Sequence, residues 1–323
     1  MEYRTLTGTG VTVSRASLGT MTFGNETDED TAIRMTHMAL DAGVNWIDTA
    51  DVYTRGRSEE IVAKALEGRR DDVVLASKVA NYVGGNRKRD VGLHRWHVLR
   101  GVEDSLRRLN TDRLDILYMH RPDYATPIEE TLSAINTLVQ QGKVMYVGMS
   151  NYASWQLCEA RLIADVSNWA QPVVTQVPYN MLTRGIEQEA LPFCRAYQMG
   201  VTVYNPLAGG MLTGKYQPDA DPEEGTRFGE NTTYRERYAK EANFRAIERL
   251  EQIAAEANKT MVELALQWVL SQDVVDSVIL GARTPEQLSA NLAAIDTCLD
   301  DDTLEACDEA WDMVRGAVFA YNR

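Results

Sequence analysis

Four polar residues stand where an apolar pattern would not put them. They are Asp48 near the end of the run 44–49, Tyr53 five residues on, Lys78 inside Val73-Val74-Leu75-Ala76-Ser77-Lys78-Val79, and His120 closing the run 114–120. A lysine in such a run is costly to bury unless it is paired, and Asp48 supplies the opposite charge. Taken alone, those two read as a buried ion pair with no chemistry. Tyr53 and His120 add polar groups that core packing does not require. A phenol whose ordinary pKa is about 10 is a proton donor at neutral pH. An ammonium beside it favours the tyrosinate and is expected to lower that pKa, with Asp48 holding the ammonium in place. Together with a histidine N–H, the phenol can donate to an oxygen that is becoming an alkoxide. A carbonyl that receives a hydride needs that arrangement.

Such residues meet only if several segments present them at one rim, and the rest of the pattern supplies the segments. Apolar runs at 16–20, 44–49, 73–79, 114–120, 144–150, 173–177, 201–205 and 278–280 alternate with helical patterns at 28–42, 58–67, 95–109, 127–141, 152–165, 187–198, 260–271 and 284–295. Strands that are nearly all apolar are buried on both faces, as parallel strands under a helical layer are, and the helices have the length a crossover needs. Eight such units predict an α/β fold, a closed (β/α)8 TIM barrel forming one domain over residues 1–323. A doubly wound sheet is the rival, weakened because no G-x-G-x-x-G follows the first run. A hairpin, 3–6 and 11–14 around Thr7-Gly8-Thr9-Gly10, stands outside the repeat. The longest departure is 207–243, rich in charge, Gly and Pro, which predicts a functional or disordered loop. Extra helices are expected at 244–257 and from Asp301 into the tail that ends in Phe319-Ala320-Tyr321. In a barrel of this kind chemistry sits at the carboxyl ends of the strands, which adds Ser150-Asn151, Gln176 and Tyr204-Asn205 to the first four residues.

Composition narrows the partners. With 33 Lys+Arg against 47 Asp+Glu, the formal net charge is −14, which excludes non-specific binding to nucleic acid or to an anionic membrane. No run of 18 apolar residues occurs, and Met1-Glu2-Tyr3-Arg4-Thr5-Leu6 is not a basic segment leading into an apolar one, so a soluble cytoplasmic chain is expected. Cys158, Cys194, Cys298 and Cys307 form no C-x-x-C pair and read as reduced packing residues. The six tryptophans read as packing as well. His94 and His97 can share one side of a helix, but further zinc ligands are missing from their surroundings, so no metal site is expected.

Asp48-Thr49-Ala50-x-x-Tyr53, the strand ending in Ser77-Lys78, Leu117-Tyr118-Met119-His120-Arg121-Pro122-Asp123 and Val147-Gly148-Met149-Ser150-Asn151 resemble the aldo-keto reductase superfamily. The likeness continues through Tyr204-Asn205-Pro206-Leu207-Ala208-Gly209-Gly210-Met211-Leu212-Thr213-Gly214-Lys215 and Leu280-Gly281-Ala282-Arg283-Thr284-Pro285-Glu286-Gln287 to Asn291, in order at successive strand ends. The resemblance implies NADP(H)-dependent reduction of a small-molecule carbonyl, with Tyr53 as general acid, Lys78 and Asp48 tuning it, and His120 orienting the carbonyl. It implies nicotinamide contacts from Ser150, Asn151 and Gln176, with Tyr204 stacking on the ring. Gly19, Thr20 and Met21 on one side, and Asn205, Pro206, Leu207 and Gly209 on the other, are implied to line the cofactor. Lys215 and Arg227 match positions that reach its pyrophosphate and phosphate, and Gly281, Gln287 and Asn291 complete the set.

Arg283 can be argued from the residues themselves. Thr284-Pro285-Glu286-Gln287 is a helix start, with Thr as N-cap, Pro at the first position and Gln at the third. Free N–H groups beside a guanidinium make an anion site suited to the 2′-phosphate of NADP, and a chain this acidic needs such a local positive focus. The alternative is an ordinary solvated arginine. Two departures bear on function. The β-subunits of voltage-gated potassium channels, which are similar around Gly92-Leu93-His94-Arg95-Trp96-His97, place Asn where this chain has His120, so retention of His favours an active carbonyl reductase over a cofactor-sensing binding protein. Met21 stands where many carbonyl-reducing relatives carry Trp, so the pocket differs in shape. A third possibility is reduction of a nucleotide-linked deoxysugar intermediate.

Overall fold

The computed structural model describes residues 1–218, 220–223 and 225–315. Strands β1 (Tyr3–Thr5) and β2 (Thr12–Ser14) pair antiparallel as the expected hairpin. The next eight are β3 (Ala16–Gly19), β4 (Trp46–Asp48), β5 (Val74–Val79), β6 (Leu114–Met119), β7 (Val144–Ser150), β8 (Pro172–Pro178), β9 (Gly200–Tyr204) and β10 (Ser277–Leu280). They run parallel and close into a barrel in the order β10-β3-β4-β5-β6-β7-β8-β9. The fold is a (β/α)8 barrel with an N-terminal hairpin.

Crossover helices lie between the strands: α1 (Glu29–Asp41), α2 (Arg57–Ala65), α3 (Arg95–Leu109), α4 (Ile128–Gln140), α5 (Ser154–Val166) and α6 (Ala190–Ala196). Between β9 and β10 come α7 (Arg227–Glu230), α8 (Thr232–Tyr238), α9 (Glu241–Glu256) and α10 (Met261–Leu270), and after β10 come α11 (Pro285–Ala294) and α12 (Asp301–Arg315).

The period of two along each strand decides what the barrel contains. Trp46, Ala76, Ile116 and Val174 gather in one buried cluster with Leu6 and Val13 of the hairpin segment, which close that end with apolar side chains. Two residues further along the same faces stand Asp48, Lys78, Tyr118 and Gln176, all buried. Their immediate neighbours Ile47, Leu75 and Leu117 belong instead to the large cluster shared with the helices. On these four strands the inward face is therefore apolar at the hairpin end and carries polar groups at the carboxyl end.

Three expectations need correction. The helix predicted over 187–198 is cut to a 3-10 turn at Gly185–Gln188 followed by the short α6, because Pro192 lacks an N–H and is tolerated only in a first turn. The described residues of the stretch 207–243 do not form an open loop. They include α7 and α8 and bury Met211, Leu212, Tyr216, Phe228 and Tyr238, with the Tyr216 and Phe228 rings stacked 4.0 Å apart. Of the residues read as packing, Trp96, Trp155 and Cys298 are exposed. The tail helix is described as far as Arg315; Phe319-Ala320-Tyr321 lie outside the described residues. Among the described residues, no helix is long and apolar enough to cross a membrane.

Candidate active site

Lys78 organises the carboxyl rim. Its Nζ donates to Asp48 Oδ1 at 2.5 Å, to the Thr49 carbonyl at 2.7 Å and to Tyr53 Oη at 3.3 Å. An ammonium has three protons, so all are placed, and Tyr53 keeps its own O–H free for the cleft. The other carboxylate oxygen of Asp48 accepts from Gln176 Nε2 at 2.7 Å, so the buried charge pair has hydrogen bonds beyond the ion pair itself. Burial opposes the charge on Lys78, but Asp48 and Tyr53 outweigh it and keep the amine protonated, with its pKa above the ordinary lysine value.

Tyr53 opens a 3-10 turn at Tyr53–Gly56 in which Thr54 and Arg55 hold φ of 47° and 54°. Left-handed backbone is unfavourable for a β-branched residue, and Thr54 Oγ1 offsets part of the cost by donating to the Phe23 carbonyl at 2.9 Å. The expected lowering of the Tyr53 pKa does not occur in this structure: burial raises it, and the opposing pull of Lys78 is smaller. Tyr53 is thus held protonated. The His120 ring stands edge-on, 6.0 Å away at 81°. Burial, reinforced by the positive charges of Lys78 and Arg121, pushes the imidazole pKa down to about 3, so the ring is neutral at physiological pH. Its Nδ1 lies 3.1 Å from Asn81 Nδ2. An amide nitrogen only donates, which assigns Nδ1 as acceptor and puts the ring proton on Nε2.

Asp48, Tyr53 and His120 line a cleft of about 600 Å³; Lys78 sits behind them, outside it. Every residue of the expected cofactor set also lines this cleft. On one wall Ser150 Oγ donates to the Gln176 carbonyl at 2.9 Å, and Asn151 Nδ2 donates to the His120 carbonyl at 3.0 Å. Tyr204 Oη donates to Asn151 Oδ1 at 2.8 Å. Asn151 and Asn205 hold φ of 67° and 62°, where asparagine is among the residues best tolerated. Asn205 Oδ1 accepts from the Gly209 amide at 2.7 Å, which anchors the start of the long segment. A Cβ built on Gly281 would meet no atom within 4 Å, so a side chain there would take cleft space.

At the far end of the cleft, Thr284 caps α11 as expected, its Oγ1 accepting from the Gln287 amide at 3.3 Å, while Gln287 Oε1 accepts from the Arg283 amide at 2.9 Å. Arg283 is no solvated surface residue, for its side chain is 17% exposed and bridged to Glu26 and Glu230. Arg227 reaches the same Glu26 at 3.1 Å. Sequence reasoning missed Glu26, Asn81 and Tyr234. Asn81 stands three residues after Lys78, just past β5, a position that could have marked it; Tyr234 on α8, a cleft-lining residue, came from a segment read as a loop.

The sequence model of the Aldo/keto reductase family matches residues 16–312. The chain belongs to the aldo/keto reductase family. It is 39% identical over 308 residues to a probable voltage-gated potassium channel subunit beta of Arabidopsis thaliana, covering 92% of both chains. It is 38% identical over 315 residues to aflatoxin B1 aldehyde reductase member 2 of Mus musculus, covering 92% of this chain and 84% of that one. An uncharacterized oxidoreductase of Bacillus subtilis is 37% identical over 321 residues, covering 96% and 95%. The match takes in all eight barrel strands.

Proposed function

We propose that this aldo/keto reductase reduces an aldehyde or ketone to an alcohol with NADP(H). The observation that carries the reading is the Lys78 ammonium, hydrogen-bonded to Tyr53 Oη and anchored on Asp48. A nicotinamide dinucleotide in the cleft supplies the hydride. Tyr53 donates its proton to the carbonyl oxygen as that oxygen gains charge, and Lys78 stabilises the phenolate left behind. The Nε2–H of neutral His120 is a second donor that aligns the carbonyl. Ser150, Asn151 and Gln176 offer polar groups to a carboxamide, and the Tyr204 ring offers a stacking face. Lys215, Arg227 and Arg283 answer the phosphates, and Gly281 leaves room for the chain of the dinucleotide.

A binding role like that suggested by the name of the Arabidopsis relative keeps the cofactor and loses turnover, and His120 argues against it. Reduction of a nucleotide-linked deoxysugar intermediate keeps the fold and changes the substrate. Measuring NADPH oxidation by the purified protein with simple aldehydes, ketones and a nucleotide-linked deoxysugar enone separates the three. The proposal expects turnover with an aldehyde or ketone. Tight NADPH binding without turnover on any carbonyl would overturn it.

A further inference from the structure

The two arginines that face the phosphate end of the cleft are already neutralised. Glu26 Oε1 lies 3.1 Å from Arg227 Nη1 and 3.4 Å from Arg283 Nη2, and Glu230 Oε2 lies 2.9 Å from Arg283 Nη2. The other terminal nitrogen of Arg283 donates to the Gly225 carbonyl. Two positive and two negative groups therefore balance before any ligand arrives. Of the two carboxylates, Glu26 is the less exposed, at 15% against 43% for Glu230. The segment that carries Glu26 is tied to the strand end beside Arg283 by Thr22 Oγ1 donating to the Ala282 carbonyl at 2.9 Å and Thr27 Oγ1 donating to the Arg283 carbonyl at 3.0 Å. At that exposure its carboxylate is screened less than a surface group would be.

We infer that Glu26 sets cofactor selectivity by opposing a 2′-phosphate at the Arg227–Arg283 pair, which levels the preference for NADP(H) over NAD(H). The inference rests on the dinucleotide reading of the cleft. A 2′-phosphate brings close to two negative charges to a cluster that is already balanced, and it must share or displace the carboxylate. A 2′-hydroxyl brings no charge and can donate to the same carboxylate oxygen. Glu26 therefore penalises one cofactor and not the other, while the arginines keep the site able to accept either.

The test is calorimetric titration of the full chain with NADP+, NAD+, 2′,5′-ADP and 5′-ADP, in wild type, Glu26→Gln and Glu230→Gln. Glu26→Gln is expected to tighten NADP+ and 2′,5′-ADP by about tenfold and to leave NAD+ within about twofold, with the gain shrinking at high salt. Glu230→Gln, on the more exposed helix α7, is expected to act in the same direction by a smaller factor, and it keeps the test open if Glu26→Gln does not fold. An unchanged NADP+ to NAD+ ratio in both variants, or weaker NADP+ binding by Glu26→Gln, would overturn the inference. If wild type binds 2′,5′-ADP no better than 5′-ADP and the variants do not alter this, the phosphate assignment of Arg283 fails as well. A wild-type preference for 2′,5′-ADP that Glu26→Gln leaves unchanged sinks the Glu26 inference alone.

Discussion

Lys78 spends its three protons on Asp48, Thr49 and Tyr53, and that distribution decides what each neighbour can do. Tyr53 is left with a hydroxyl hydrogen aimed nowhere else, and burial holds it protonated rather than ionised. His120 behaves in the opposite sense, because burial removes its charge. The consequence for stability has a definite sign. The unfolded chain takes up a proton on His120 near the ordinary pKa of about 6.5, while the folded chain waits until about 3, so the contribution is complete above 6.5 and is lost as pH falls through that window. Wild type is expected to lose about 1 to 2 kcal/mol more than His120→Gln between pH 7 and pH 5 in urea unfolding. Parallel losses in the two proteins would show that the ring is not buried in its neutral form. The identity and spacing of Asp48, Tyr53, Lys78 and His120 were readable from residue types alone. The partner that assigns the His120 tautomer, Asn81, was not, since nothing in a single sequence marks which asparagine faces a ring nitrogen.

At the scale of elements, the β4-to-α2 connection carries both Tyr53 and a second buried acid. Both carboxylate oxygens of Asp51 are buried with no side-chain hydrogen-bond partner among the described residues, the neighbouring Val52 amide giving only a weak contact. They line a small cavity of about 50 Å³ with His97, Arg100 and Arg108. Burial pushes the Asp51 carboxyl well above its ordinary pKa, with nearby Glu59 adding to the rise. A raised folded pKa means the unfolded chain releases its proton first, so stability is lost as pH rises above the ordinary carboxylate range. Asp51→Asn is expected to be more stable than wild type by about 1 to 3 kcal/mol at pH 7, with the difference closing toward pH 4. A less stable variant at pH 7 would mean that Asp51 is ionised and held by Arg108. Strand and helix positions followed from periodicity, with Pro192 and the long segment as the misreadings. The segment 207–243 looked like a loop because its apolar residues are sparse and far apart, and it packs by pairing rings such as Tyr216 and Phe228 rather than by an amphipathic stripe.

For the whole molecule, barrel closure brings eight strand ends to one rim, and small residues permit that closure at tight points. A Cβ added at Gly148 on β7 would stand 2.4 Å from the Tyr118 ring, whose hydroxyl meets Thr202 Oγ1 at 3.2 Å. A ring in the barrel interior cannot give way as a flexible chain end would. Gly148→Ala is therefore expected to cost about 2 to 4 kcal/mol and to lower the thermal midpoint, and a neutral result would mean the interior repacks freely. The repeat of eight apolar runs made the barrel legible from the sequence, because each parallel strand buried on both faces announces itself locally. The charge balance at Arg227 and Arg283 was not legible, since Glu26, Arg283 and the short helix that carries Arg227 and Glu230 lie far apart along the chain and meet only once the barrel and the long segment are in place. In the proposed function Tyr53 supplies the proton while a bound dinucleotide supplies the hydride. Single-turnover reduction of an aldehyde by Tyr53→Phe, with NADPH affinity measured in parallel, tests it most directly. A rate lower by at least about a hundredfold with affinity little changed is expected, and a rate near that of wild type would overturn the role of Tyr53.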